Sequence, residues 1–92
     1  MKRTHKNIAL LLRTAGDESR LSILCALFAS KNACVSDVAE KVGMSIASVS
    51  HHLKVMEHNG ILNAARDGKR ICYRLSDESV MRDLKNLICK YT

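Results

Sequence analysis

Three groups of residues in this 92-residue chain carry side chains able to do chemistry. The first lies in the run Met44 to Leu62, MSIASVSHHLKVMEHNGIL, where Ser48, Ser50, His51 and Lys54 share one polar face. Hydroxyls and imidazoles can donate or accept hydrogen bonds at base edges, and a lysine can meet a phosphate. An ordinary amphipathic surface helix would carry the same face, so this run does not decide the matter alone. The second group, Arg66, Lys69 and Arg70, flanks Asp67-Gly68. The third is four cysteines, Cys25, Cys34, Cys72 and Cys89. None is spaced as CxxC, which weakens zinc-finger and thioredoxin readings.

The elements that must position these groups follow from spacing. In the Met44 to Leu62 run, Ser45 is a good N-cap, because its hydroxyl can accept from an orphan first-turn amide. Gly60 can take the left-handed conformation that stops a helix. Ile46, Val49, Leu53 and Met56 recur at helical spacing and form the expected inner stripe. Upstream, Lys2, Arg3 and Lys6 open a first helix, Thr4 to Ala15, with Ile8, Leu11, Leu12 and Ala15 inward. Gly16 breaks it, and Asp17-Glu18 start a second helix running to about Ala29, with Leu21, Leu24, Cys25 and Phe28 on one side. Ser30-Lys31-Asn32 is a turn, and Ala33-Cys34-Val35 a short extended piece. Ser36 is expected to cap a third helix through Val42, with Val38, Ala39 and Val42 inward. Gly43-Met44 then turns tightly into the next helix, which is the helix-turn-helix plan.

Ile61 to Arg66 and Arg70 to Leu75 read as two strands, joined at Asp67-Gly68, a favoured hairpin centre. A hairpin with a basic tip directly after a helix-turn-helix looks like a wing, whose cations can reach phosphates or the minor groove. Ser76 is expected to cap a last helix from Asp77 to about Lys90. Its stripe of Val80, Leu84, Leu87, Ile88 and Tyr91 is too apolar to stay uncovered. The first helix can cover part of it, and a second subunit the rest. The fold class is thus mainly α with a small hairpin: five helices plus a two-stranded wing, in a homodimer.

Length and composition agree. Residues 1–92 make one domain, near the size at which a single core is only modestly stabilising. The net charge of +6 suits a nucleic-acid partner. One Phe, two Tyr and no Trp argue against a single-strand binder built on stacking platforms. The apolar run Ile8 to Leu12 is too short for a signal or membrane segment. A cytoplasmic protein with no membrane partner is expected. In that compartment the cysteines are buried thiols, metal ligands or redox groups rather than a disulfide framework. No nucleophile-base pattern supports an enzyme.

Over nearly its whole length the chain resembles the ArsR/SmtB family of bacterial winged-helix repressors. The resemblance is carried by Asp17-Glu18-Ser19-Arg20-Leu21-Ser22-Ile23-Leu24, by Ser45 through Leu53, by Gly60-Ile61-Leu62, and by Asp67 through Leu75. It implies a homodimer held by its first and last helices, bound to double-stranded operator DNA and released by a metal or a thiol-reactive signal. Carried over by position, the DNA-binding residues are Ser45, Ala47, Ser48, Ser50, His51 and Lys54, with Arg66, Lys69 and Arg70 in the wing. Ile46 departs from the pattern, since relatives often carry a polar residue there. It is expected to pack, the alternative being contact with a thymine methyl. His52 is expected to be structural.

The signal is narrowed the same way. The family's arsenic-type site needs cysteines at positions held here by Cys34, Ser36 and Ala39, and only one is a thiol. A hydroxyl does not replace a thiolate for a soft metalloid. The zinc-type site falls on Asp77, Ser79 and Lys90, which make no zinc site. No metal or cofactor is therefore expected. Cys25 and Cys89, in contrast, match the two cysteines of the persulfide-sensing branch. Cys25 also fits a small buried hydrophobe. Cys89 lies roughly 180° of helix from Val80, off the apolar stripe. The resemblance implies that a reactive sulfur species or oxidant links Cys25 and Cys89 and releases the operator. Cys34 and Cys72 are expected to be packing residues. A metal- or metalloid-responsive repressor with an atypical site, and a winged-helix protein-interaction module, are the alternatives.

Overall fold

Thr4 starts the first helix with a reciprocal cap. Its Oγ1 accepts from the Asn7 amide at 3.2 Å, and the Asn7 side chain accepts from the Thr4 amide at 3.4 Å. From there the computed structural model runs α1 (His5–Ala15), α2 (Glu18–Phe28), β1 (Ala33–Cys34), α3 (Val35–Val42), α4 (Ile46–His58), β2 (Leu62–Asp67), β3 (Arg70–Leu75) and α5 (Glu78–Tyr91). The structure describes residues 4–29, 33–76 and 78–92. The basic pair Lys2-Arg3, the turn Ser30-Lys31-Asn32 and the start of the last helix at Asp77 lie outside the described residues.

Five helices and a small antiparallel sheet agree with the expected architecture, with one strand added. The sheet order is β1-β3-β2, so the wing is rooted in a third strand. β1 pairs Ala33 with Tyr73 and Cys34 with Cys72. That register sets the two cysteines face to face, with Cα atoms 3.8 Å apart, and a disulfide joins them. This corrects the expectation that Cys34 and Cys72 only pack and that no disulfide forms. Their pairing joins residues 38 apart in sequence, which no local pattern could reveal.

Two local expectations are also corrected, and a third is left untested. Ser36 does not cap α3: the chain leaves β1 directly into the helix, whose N-cap is Cys34 with no side-chain cap bond. Ser76 donates its hydroxyl to the carbonyls of Gly60 and Ile61, and the start of the helix it was expected to cap adjoins Asp77, outside the described residues. The wing turn is centred on Gly68-Lys69, because Asp67 pairs with Arg70. Only Gly68 there has a positive φ, 63°. That is the pattern of a turn needing left-handed backbone at its first central residue alone.

The core is built from Ile23, Leu24 and Leu27 of α2, Val38 of α3, Val49, Leu53 and Met56 of α4, Ile61 and Leu62 at the wing's root, and Met81 of α5. α2 is more buried than one stripe implies: Ile23, Leu24, Ala26 and Leu27 are inside, while Leu21, Cys25 and Phe28 pack at the edge. The reason is its central place, touching α1, α3, α4, α5 and β3. On α5, Met81, Leu84 and Ile88 are buried, whereas Leu87 and Tyr91 stay exposed, as does Leu12 of α1. An open cavity lined by Leu12, Leu21, Leu84, Leu87, Ile88 and Tyr91 lies between those faces.

Candidate nucleic-acid interface and thiol pair

The presentation of α4 begins at its ends. Ser45 Oγ accepts from the Ser48 amide at 3.1 Å. At the other end the Gly60 amide bonds the Glu57 carbonyl and the Ile61 amide bonds the Met56 carbonyl, at 3.0 and 2.9 Å. Gly60 is left-handed, with φ 81°. These two bonds and the buried Ile61 and Met56 make a Schellman stop. Both ends were readable in the sequence.

Burial of Val49, Leu53 and Met56 fixes which way α4 faces. Ser45, Ala47, His51 and Lys54 are exposed, and Ser48 and Ser50 are half-buried. Positions 47, 50, 51 and 54 adjoin at helical spacings of three and four, so they form one continuous surface. Ile46 is the correction on this face. Expected inside, it is 59% exposed. The first helical turn projects past the core, and the half-buried Met44 packs there instead. Ile46 thus joins the polar surface as its one large apolar group, the alternative the sequence had left second.

The opposite side of α4 is tied down by polar bonds that sequence reasoning missed. Asp17 Oδ2 accepts from the Arg20 amide at 3.0 Å and caps α2. That bond, followed by the charge of Arg20 and of His52, holds the Asp17 carboxyl below the usual carboxylate range. Arg20 Nε donates to the Thr14 carbonyl, and its Nη1 lies 3.4 Å from His52 Nδ1. His52 is half-buried against Arg20, the structural place expected for it. Thr14, a buried polar residue, donates to the Leu10 carbonyl at 2.7 Å and accepts from Asn59 Nδ2 at 3.0 Å. The only sequence signal was a polar residue inside the apolar face of α1.

In the wing, Arg66, Lys69 and Arg70 are all exposed. Arg70 is not free, however: its Nη2 lies 2.8 Å from Asp37 Oδ2 on α3. Helix-turn-helix and basic hairpin together present a cationic, hydroxyl-bearing surface. They define a winged helix-turn-helix protein.

A second locus lies at the contact of α2 with α5. Cys25 is half-buried, Cys89 is exposed, and neither is in a disulfide. The two residues lie on packed helices, and burial first, then the nearby Cys89, push the Cys25 thiol up from its ordinary value. The two residues singled out on α2 and α5 are therefore brought together. Among the described residues no group of three His, Cys, Asp or Glu side chains is gathered to hold a metal ion. No described helix is long and apolar enough to cross a membrane.

Comparison with known proteins agrees with this geometry. Residues 17–64 match the family model of bacterial regulatory proteins of the arsR family. The chain is 33% identical over 79 residues to a cadmium resistance transcriptional regulatory protein CadC homolog of Staphylococcus aureus, covering 86% of this chain and 65% of that one. It is 33% identical over 84 residues to the HTH-type transcriptional regulator YgaV of Escherichia coli, covering 88% and 85%. Among solved structures it is similar to the homodimeric winged helix-turn-helix DNA-binding domain of a possible ArsR-family regulator from Mycobacterium bovis. That match has a TM-score of 0.81 and 28% identity, and covers 94% of this chain and 78% of that one. The chain belongs to the ArsR family of DNA-binding transcriptional regulators, which are not enzymes.

Proposed function

We propose that the protein is a homodimeric transcriptional repressor that leaves its operator when Cys25 and Cys89 are joined through sulfur. The observation carrying this reading is the packing of α2, which bears Cys25, against α5, which bears Cys89, with Cys89 near enough to shift the Cys25 thiol. Two sulfurs on different helices are the minimum for a covalent link between elements.

DNA recognition falls to the two sets described above. Ser45, Ala47, Ser48, Ser50, His51 and Lys54 enter the major groove, with hydroxyls and imidazole at base edges and Lys54 on a phosphate. Arg66, Lys69 and Arg70 hold the flanking backbone. Two such heads must sit about 34 Å apart to read successive major grooves. Leu12, Leu87 and Tyr91 supply the dimer contact, since they leave an apolar face on α1 and α5 that a second copy covers. The homodimeric relative supports that choice.

The switch begins at Cys89, the thiol in contact with solvent. Its thiolate attacks the outer sulfur of a persulfide, forming Cys89–S–SH and releasing a thiolate. Cys25, deprotonated, then attacks the inner sulfur, and hydrosulfide leaves as the Cys25–Cys89 disulfide forms. Longer sulfur donors leave additional sulfur atoms in the bridge. The bridge ties α2 to α5, which carries half of the proposed dimer face, and so alters the spacing of the two heads. A tenfold loss of operator affinity needs only about 1.4 kcal/mol of difference between states.

Operator binding of wild type and Cys89→Ser, each reduced and polysulfide-treated, tests this. Wild type alone should lose affinity on treatment, by tenfold or more. Equal loss in both proteins would remove Cys89 from the switch.

A further inference from the structure

Outside the α2–α5 thiol pair, one cluster of reactive groups has no role in the reading above. Cys34 and Cys72 face each other across β1 and β3, are joined as a disulfide, and are both buried. We propose that they form a second redox site, a reversible disulfide that fastens the root of the wing to the helix-turn-helix.

The placement of the two residues supports this. Cys34 is at once the last residue of β1 and the N-cap of α3. It therefore ties the first turn of α3 directly to the wing strand. Cys72 lies in the middle strand of the sheet, two residues from Arg70. Asp37, the partner of Arg70, lies three residues beyond Cys34. Beyond the β1–β3 pairing itself, wing and α3 are thus joined over a short stretch once through sulfur and once through an exposed ion pair. An exposed pair contributes little by itself. The sulfur link is therefore the one covalent addition to the strand pairing that holds the wing among the described residues.

Burial of both residues selects a small oxidant, and hydrogen peroxide fits. The Cys34 thiolate attacks one peroxide oxygen, the O–O bond breaks, and hydroxide leaves, taking up a proton to become water. The Cys34 sulfenic acid so formed is attacked by the Cys72 sulfur. The S–S bond forms, the S–O bond breaks, and a second water leaves with the Cys72 proton. The two sulfurs are oxidised by two electrons in all, and the peroxide is reduced by two. A dithiol reductant reverses the change by exchange.

The test uses the full chain and reads this pair separately from Cys25 and Cys89. After peroxide treatment, alkylation and tryptic digestion, Cys34 and Cys72 fall in different peptides from each other and from the other two cysteines. The expected result is a linked pair of those peptides that dithiothreitol abolishes. Its absence, with both residues alkylated after oxidation, would overturn the proposal, whatever Cys25 and Cys89 do. Trypsin cleavage at Arg66, Lys69 and Arg70, under native conditions, reads the fastening. Reduction should speed it about tenfold in wild type, and Cys72→Ser should be cut at the fast rate whether or not dithiothreitol is present. Equal wild-type rates in the two redox states would overturn the fastening. Circular dichroism matching wild type shows that Cys72→Ser is folded. If it is not, Cys34→Ser, which spares the wing strand, takes its place.

Discussion

Arg70 on the wing and Asp37 on α3 form an ion pair at 2.8 Å, so a residue proposed to meet DNA already has a carboxylate partner. Both side chains are more than half exposed, and such pairs add at most about 1 kcal/mol to stability. In the proposed DNA complex Arg70 exchanges that carboxylate for a phosphate, and Asp37 then lies near the backbone charge. Asp37→Asn should therefore tighten operator binding several-fold with little change in melting temperature. The slope of log affinity against log salt should steepen by about 0.9, the value for one more phosphate neutralised. Fluorescence anisotropy over a salt series checks both numbers. Weaker binding would mean that the pair prepares the wing for DNA instead.

Ile46 offers its apolar side chain to solvent from the first turn of α4. A group there costs nothing to remove from the fold but is available to a thymine methyl in the groove. Each methylene buried is worth about 0.8 kcal/mol. Ile46→Ala should lose about tenfold in operator affinity with an unchanged melting temperature. Replacing the contacted thymine by uracil should cost wild type affinity and leave the variant indifferent. An Ile46→Ala protein that binds both sequences like wild type would count against the contact.

How far the sequence could be read is clear from such residues. Ser45 and Gly60 were legible because a cap depends on its immediate neighbours, as was the inward face of Val49, Leu53 and Met56. Ile46 was misread because period says which face a residue shares, not where the neighbouring core ends. Ser36 was misread because β1 feeds straight into α3. Cys34 with Cys72, and Asn59 with Thr14, were invisible, since each depends on pairing distant segments. The meeting of Cys25 and Cys89 came from the family resemblance, not from spacing.

Leu87 lies on the apolar face left open between α1 and α5. Burying a leucine side chain is worth about 2 kcal/mol, and a twofold interface does so twice. Leu87→Asp should weaken self-association by more than a hundredfold and give a folded monomer by sedimentation. Operator affinity should fall with it. A dimer of unchanged strength would move the interface elsewhere.

Cys25 has its thiol raised mainly by burial and secondarily by Cys89. Its thiolate fraction at neutral pH is therefore below that of a free cysteine, whose value is about 8.5. Alkylation of Cys25 should accelerate only as pH climbs past that value. In Cys89→Ser the midpoint should move down while staying above the free thiol, because the larger cause, burial, remains. The folded form holds this proton more tightly than the unfolded chain does. Its contribution to stability is thus complete below the free-thiol value and is lost as pH rises through the elevated one. A midpoint unmoved by Cys89→Ser would show that the two sulfurs do not sense each other.

Thr14 adds a mechanical consequence. Its hydroxyl holds Asn59 at the far end of α4 while its own helix, α1, carries the exposed Leu12. The helix proposed to read bases is moored to a helix proposed to meet a partner. Any tilt imposed on α1 by a neighbouring subunit will pull on the reading head through that knot and the Arg20 bridge beside it, without passing through the wing.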